Sequence, residues 1–487
     1  MASSNTSVFD TALHEDVATG ETTIELELLV TRQRAAQIRD GAPSRARRIA
    51  NLARLKSVLL ANRSKIVDAV SQDFGHRSRH ETELYELTSV LQGIRYLKRH
   101  LAKWMRPSQR TVAMQYAPAV ARVEYEPCGV VGIMAPWNYP VALALNPLVV
   151  ALAAGNRVIL KPSEKTPRTG AILKALLREA FDDEHVAVVL GDAELGATFS
   201  ALPFDHLMFT GGTAIGKAVM SAASRNLVPV TLELGGKSPA FIEQGISLAF
   251  AAERLAFGKL LNAGQTCIAP DYVLVPRGQC EAFADAFSAA VNRLYPEIAT
   301  TPDYTTIANE RHFERLERML ADARAKGARV IQLGSDGGER RHPRTFLPAL
   351  LFDVTDAMQV MQEEIFGPIL PIVPYDDVES AIAMFNAKPH PLVLYYFGFN
   401  QEISTRVRRA SISGAFVVNE TVLHYAQEDL PFGGVGASGM GAYHGREGFL
   451  RLSHARAVFS QARFSMARLV RPPFRTLVER IIRLMLR

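Results

Sequence analysis

One cysteine in this chain is either a small hydrophobe packed in an ordinary loop, the commoner use of an isolated cysteine, or a thiol brought to a substrate. Cys267 lies in "NAGQTCIAP" (residues 262–270), among small and polar residues just beyond an apolar, helix-like run. Thirty-four residues upstream, Glu233 sits in the apolar strand-like "TLELGGKSP" (231–239) before a flexible Gly-Gly, a setting that suits a satisfied structural carboxylate or a general base. Asn138, in "PWNYP" (136–140), is an amide donor between two prolines that stiffen its turn, and a preorganised donor of this kind stabilises an oxyanion by about 3 kcal/mol.

Two further stretches suit a nucleotide. "FTGGTAIGK" (209–217) follows a strand-like run and opens a helix-like one, so its glycines would let a phosphate approach the free N–H groups of a helix N-terminus. Its spacing is GGxxxG rather than GxGxxG, and a tight strand-to-helix turn would read the same way. "RVILKPSEKTP" (157–167) ends a strand in Lys161, a proline turn and Glu164, whose carboxylate could accept the hydroxyls of a ribose or simply be solvated.

The elements that must position these residues are legible in outline. In "ETELYELTSVLQGIRYLKRHLAKWM" (81–105), Leu84, Leu87, Leu91, Ile94 and Leu101 recur at helical spacing and predict an apolar stripe packed on a core. From residue 130, short β-rich runs ("VVGIMA", "RVILK", "VAVVL", "HLMFTG", "VPVTLEL") alternate with helical ones, which predicts a doubly wound parallel sheet that binds ligands at the carboxyl ends of its strands. A second α/β alternation begins after residue 236, so Glu233, Gly235 and Gly236 fall at a boundary between two units.

Composition narrows the class. The 487 residues are 48% hydrophobic and 21% charged, the pattern of a soluble globular protein of two or three domains. Cys128, Cys267 and Cys280 are odd in number and far apart, which argues against a disulfide framework or a zinc site and for a reducing cytoplasm. No metal-ligand cluster is apparent, and the N-terminus lacks a secretory pattern. Of the net charge of +6, residues 451–487 supply +8 through nine arginines against one glutamate, and no nucleic-acid motif accompanies them. The terminal "PPFRTLVERIIRLMLR" predicts an amphipathic helix with Phe474, Leu477, Val478, Ile481 and Met485 on one face and Arg475, Arg480, Arg483 and Arg487 on the other. At about fourteen residues it is too short to span a bilayer of about 30 Å, so it would rest on a membrane surface, on the protein itself or at the mouth of a substrate tunnel.

Taken in order, "PWNYP", "KPSE", "FTGGTAIG", "LELGGKSP", "GQTC", "EEIFGP" (363–368) and "PFGGVGASGMGAYHG" (431–445) resemble the motifs of the aldehyde dehydrogenase superfamily over roughly residues 30–460. "AGQTCIAPDYVLV" and "GMGAYHG" are similar to its class 3 branch, and "DFGHRSRHETELYE" and "RPPFRTLVERIIRLMLR" to bacterial coniferyl aldehyde dehydrogenases. The resemblance implies an α/β fold with a Rossmann-like cofactor domain (1–111 and 127–234), an α/β catalytic domain (235–436), a bridging and oligomerisation element (112–126 and 450–465) and the basic tail (466–487). It implies that Cys267 attacks an aldehyde, that Asn138 and the Cys267 backbone N–H hold the oxyanion, and that Glu233 activates the water that hydrolyses the resulting thioester. Relatives that pass the acyl group to coenzyme A lack this glutamate, which favours hydrolysis to a free acid.

For the cofactor, the resemblance implies NAD, with NADP possible. Lys161 and Glu164 would hold the adenosine ribose, Gly211 and Gly216 would flank the pyrophosphate, Glu364 would bind the nicotinamide ribose and Phe366 would pack beside the ring. Gly212 departs from the serine many members carry. Tyr85 and Tyr139 would line the substrate pocket, or be ordinary core aromatics, and a homodimer is implied. The expected activity is oxidation of coniferyl or another aromatic aldehyde. Medium or long aliphatic aldehydes are the alternative, and a catalytically silent scaffold is a remote one.

Overall fold

A computed structural model describes residues 22–334, 340–465, 471–474 and 476–486. Its first large sheet has six strands in the order Gly439–Met440, Val230–Leu234, His206–Gly211, Val130–Met134, Arg157–Lys161 and Val186–Val188. All pair in parallel except the edge strand Gly439–Met440, which sets Gly439 opposite Glu233. The central runs are apolar on both faces because helices cover both sides. Every residue of Arg157–Lys161 and of Val230–Leu234 is buried.

The second sheet has seven strands, ordered Arg329–Gln332, Ala349–Phe352, Ile369–Tyr375, Tyr272–Pro276, Pro239–Ile242, Val393–Phe397 and Ala415–Val418, with only Arg329–Gln332 antiparallel. The third is an antiparallel ribbon of Ser108–Arg110, Val120–Pro127 and Ser453–Ser460, in which Ser453 faces Pro127 and Ser460 faces Val120.

Helix Ala142–Ala154 shows how the first sheet is packed. All thirteen residues are buried, and the helix ends at Gly155 with φ +94°. A side chain at Gly155 would stand 2.6 Å from the Arg48 guanidinium carbon. Its absence lets Arg48 donate to the carbonyls of Ala153 (2.9 Å) and Ala154 (2.6 Å), satisfying the helix C-terminus with a cation.

Two expectations are corrected. The helix expected over 81–105 is regular only from Thr88 to Trp104; Thr82–Leu87 is wound as a π-helical turn. The wider turn rotates its residues off the stripe. Leu84 is exposed and Leu91 half-buried, and the buried stripe runs through Leu87, Val90, Ile94, Leu97 and Leu101. In the tail, the helix spans Thr476–Met485, so Phe474 precedes it and is exposed, whereas Val478 is buried. Arg475 and Arg487, and the side chains of Leu477, Ile481 and Met485, lie outside the described residues.

Candidate active site

Cys267 reaches its place through a backbone that only local contacts could hold. Helix Leu248–Leu260 breaks into the turn Leu261–Gly264, in which Asn262 and Ala263 both have φ of 52° and Gly264 has φ +73°. Left-handed backbone at a residue other than glycine costs about 1 kcal/mol or more. The compensation is visible. The Asn262 N–H donates to both oxygens of Glu81 (3.1 and 3.2 Å), and Gln265 donates from its amide to the carbonyls of Asn262 (2.9 Å) and Thr306 (3.0 Å). At Gly264 a side chain would stand 2.5 Å from the Gly367 carbonyl oxygen, so this glycine lets the cysteine loop lie against the loop of Glu364 and Phe366.

The turn also ties the cysteine loop to Asn138. The Asn138 amide donates to the Gln265 carbonyl (3.0 Å), and the Asn262 amide donates to the carbonyls of Asn138 (3.0 Å) and Gln265 (3.2 Å). One N–H of the Asn138 amide therefore remains for a ligand.

Cys267 lines two cavities. One, of about 290 Å³, is bounded by Asn138, Gly211, Gly212, Glu233, Glu364 and Phe366 among others. The other, of about 90 Å³, is narrow and mostly apolar, with Tyr85, Tyr139, Leu143, Thr266, Tyr425 and Phe432 in its wall. Tyr85 and Tyr139 thus share a cavity with the thiol, and the Tyr139 hydroxyl is tied to Thr266 at 2.9 Å. A third cavity, of about 620 Å³, opens at the carboxyl ends of the first sheet and is lined by Ser163, Glu164, Leu190, Asp192 and Leu195.

The electrostatics suit a resting site. Burial is the first cause that pushes the Cys267 thiol up to about 12, and Glu364 and Glu233 add to it. Opposing them, the backbone N–H groups of Cys267 and Ile268 are aimed at the sulfur. Glu233 is buried, neither of its oxygens has a hydrogen-bond partner, and burial holds its carboxyl well above the usual range. Burial, then Asp271, pushes Glu364 up to about 8, against the Gly236 N–H, Lys237 and Arg315.

The remaining expected residues divide. Lys161 is buried at the end of its strand, 3.6 Å from the exposed Glu164, and Glu164 rather than Lys161 faces the large cavity. Gly211 is on the wall of the 290 Å³ cavity, but Gly216 is not. A side chain at Gly216 would stand 2.5 Å from Leu234 Cδ2, so this glycine seats helix Thr213–Ser224 on the sheet. Gly212 takes the wall position at the N-cap of that helix, with open space where a Cβ would be.

Several residues of the site had no motif to mark them. Arg315 donates to the carbonyls of Glu364 (3.2 Å) and Ile365, and His312 bonds the Phe366 carbonyl at 2.7 Å. Together they hold Phe366 at φ +52°. Trp137 meets both His312 and Phe366 edge-on, with ring centres 5.4 and 5.5 Å away.

Known proteins share the fold. Residues 16–458 match the family model described as "Aldehyde dehydrogenase family". A probable coniferyl aldehyde dehydrogenase of Pseudomonas aeruginosa is 50% identical over 458 residues, covering 94% of this chain and 95% of its own. The substrate-bound structure of Staphylococcus aureus AldH superposes with a TM-score of 0.89 at 35% identity, covering 96% of this chain and all of the other. A Mycobacterium tuberculosis aldehyde dehydrogenase complexed with NAD+ superposes with a TM-score of 0.81 at 27% identity, covering 91% of each chain.

Proposed function

The chain belongs to the aldehyde dehydrogenase family, and from that premise we propose that it oxidises an aromatic aldehyde of the coniferyl type to its acid with NAD. The observation that carries this reading is the position of Cys267, which lines both an aromatic-walled cavity and a second one that also holds Asn138 and Glu233.

The residues fit a nicotinamide dinucleotide. Gly212 leaves open space at a helix N-terminus, where free N–H groups favour phosphate, and a 620 Å³ cavity with Glu164 on its wall lies at the strand ends. Glu164, with Lys161 behind it, would hold the adenosine ribose, Gly211 and Gly212 would admit the phosphates, Glu364 would take the second ribose and Phe366 would flank the ring. When bound, this cofactor supplies the hydride acceptor for the oxidation. A carboxylate at 164 repels a 2′-phosphate, so NAD is preferred and NADP remains usable.

The chain's own part begins with the Cys267 sulfur attacking the aldehyde carbonyl. The free N–H of the Asn138 amide and the Cys267 backbone N–H hold the oxygen that gains charge. Oxidation leaves the acyl group as a thioester on Cys267. Glu233 then takes a proton from the water that cleaves it, and its raised affinity for protons makes it the stronger base once ionised.

The aromatic reading rests on Tyr85, Tyr139, Tyr425 and Phe432 in the cavity wall. An aliphatic chain is the second reading, because Leu84, Leu143, Leu261 and Val422 line the same cavity. Purified protein with coniferaldehyde, benzaldehyde or decanal, followed by NADH absorbance, separates them. A higher kcat/KM for coniferaldehyde is expected, and a preference for decanal would reverse the assignment.

We further propose the domain division given by the three sheets, with the antiparallel ribbon as the bridging element. Its edge strand Ser453–Ser460, with Phe459 exposed, suits pairing with a second copy into a homodimer. Among the described residues no helix is long and apolar enough to cross a membrane. The tail helix leaves Ile482 exposed, as is Leu486 just past its end, near the exposed Arg480 and Arg483, which supports reversible contact with an anionic membrane surface. Removal of residues 471–487 should abolish salt-sensitive binding to anionic liposomes, and unchanged binding would refute that contact.

A further inference from the structure

Behind the oxyanion loop, and on the wall of neither cavity that Cys267 lines, sits Arg77, fully buried. Its Nη1 donates to the backbone carbonyl of Asn138 at 2.7 Å and stands 3.2 Å from Glu86 Oε1. The guanidinium carbon lies 4.7 Å from the centre of the Tyr139 ring and 4.9 Å from that of Phe74. Glu86 Oε2, in turn, accepts the N–H groups of Val141 (2.7 Å) and Ala142 (3.1 Å). The loop from Asn138 to Ala142 therefore hangs on one buried ion pair, its first carbonyl on the arginine and its last two amides on the glutamate.

Stability alone is a poor reason for this arrangement. Arg77 Nε and Nη2 and Glu86 Oε1 have no hydrogen-bond partner. A buried pair left partly unsatisfied is commonly no better than well-packed apolar side chains of the same volume. What the pair does provide is direction. The Asn138 carbonyl is held from behind by Arg77 and Asn262, and its amide is held on one side by Gln265, so the orientation of the remaining N–H is fixed.

We propose that Arg77 is a positioning residue for the acyl-forming half of the reaction, acting through Asn138 on the aldehyde oxygen and through the Tyr139 ring on the substrate wall. The inference rests on the reading of Asn138 as the oxyanion donor. Arg77 itself touches neither substrate nor thiol.

A double-mutant cycle on the full chain tests it. First-turnover NADH formation, thioester hydrolysis, NAD affinity by fluorescence quenching and thermal unfolding are measured for the wild type, Arg77→Met, Asn138→Ala and the double variant. Arg77→Met should slow the first turnover about tenfold or more in the wild-type background and less than about twofold in Asn138→Ala, since residues acting as a unit are not additive. NAD affinity should not move. Equal slowing in both backgrounds would overturn the proposal and leave Arg77 a general structural residue. A wild-type first turnover in Asn138→Ala would overturn the reading of Asn138 and the proposal with it. Should Arg77→Met fail to fold, Arg77→Lys keeps the charge beside Glu86 but not the fork. It should show a smaller slowing with the same dependence on Asn138, and a first turnover equal to wild type would count against the proposal.

Discussion

Replacing Glu233 with glutamine should separate the two proposed halves of the reaction and report on the environment of the carboxylate at once. The substitution keeps shape and volume and removes the proton acceptor. Neither carboxylate oxygen has a partner to lose, so no hydrogen bond of the fold depends on the charge. The folded protein raises this carboxyl above the unfolded value of 4.5, through burial. A raised acid stabilises the fold fully below its unfolded pKa, and that contribution is lost as pH rises toward the folded one. Within that window the wild type loses about 1.4 kcal/mol per pH unit that the glutamine variant does not. Glu81 and Glu86, which are buried, and the half-buried Glu364 are present in both proteins, so their own pH dependence cancels in the comparison. Urea denaturation of the two proteins at pH 5, 6 and 7 should show the variant gaining on the wild type as pH rises. In rapid mixing with aldehyde and NAD, the variant should form about one NADH per site and then turn over about 10²- to 10⁴-fold more slowly. A stability difference that is flat with pH would refute the buried, unpartnered carboxylate. An unchanged steady-state rate would refute its role in hydrolysis.

Other consequences follow from the same geometry. Glu164→Gln should raise kcat/KM for NADP relative to NAD, and an unchanged ratio would show that the carboxylate does not face the ribose. Gly264→Ala should cost about 2 kcal/mol or more and disable the enzyme, because the new Cβ meets a backbone oxygen at 2.5 Å and φ is +73°. Gly212→Ser, by contrast, meets nothing within 4 Å and should change stability by less than about 0.5 kcal/mol. Thermal unfolding of the two glycine variants side by side checks both statements.

Sequence was most informative where the chemistry is local. The strands Val130–Met134, Arg157–Lys161 and Val230–Leu234 appear where continuous apolar runs predict them, and Asn138, Glu233 and Cys267 meet in one cavity. Residues that act across the fold were harder to see. Glu81 and Glu86 are not among the apolar positions of the expected stripe, yet both point inward: the π-helical turn carries Glu86 to the start of helix Ala142–Ala154, and Glu81, just before that turn, reaches Asn262. His312 and Arg315 lie about fifty residues from the loop they hold, and nothing in "NERHFERL" marks that contact. Gly216 sits in the glycine run for packing against Leu234, and the open position belongs to Gly212. Glycine identity alone does not tell these two uses apart.

The central claim is that the acyl group passes through Cys267. The most direct measurement is to quench the Glu233→Gln variant after its first turnover with coniferaldehyde and NAD, digest it and locate the added mass. The account places an acyl adduct on the peptide containing Cys267, in near-stoichiometric yield, with Cys128 and Cys280 unmodified and no adduct in a Glu233→Gln, Cys267→Ala protein. An adduct on another residue, or turnover that persists above a few per cent of wild type in Cys267→Ala alone, would contradict it.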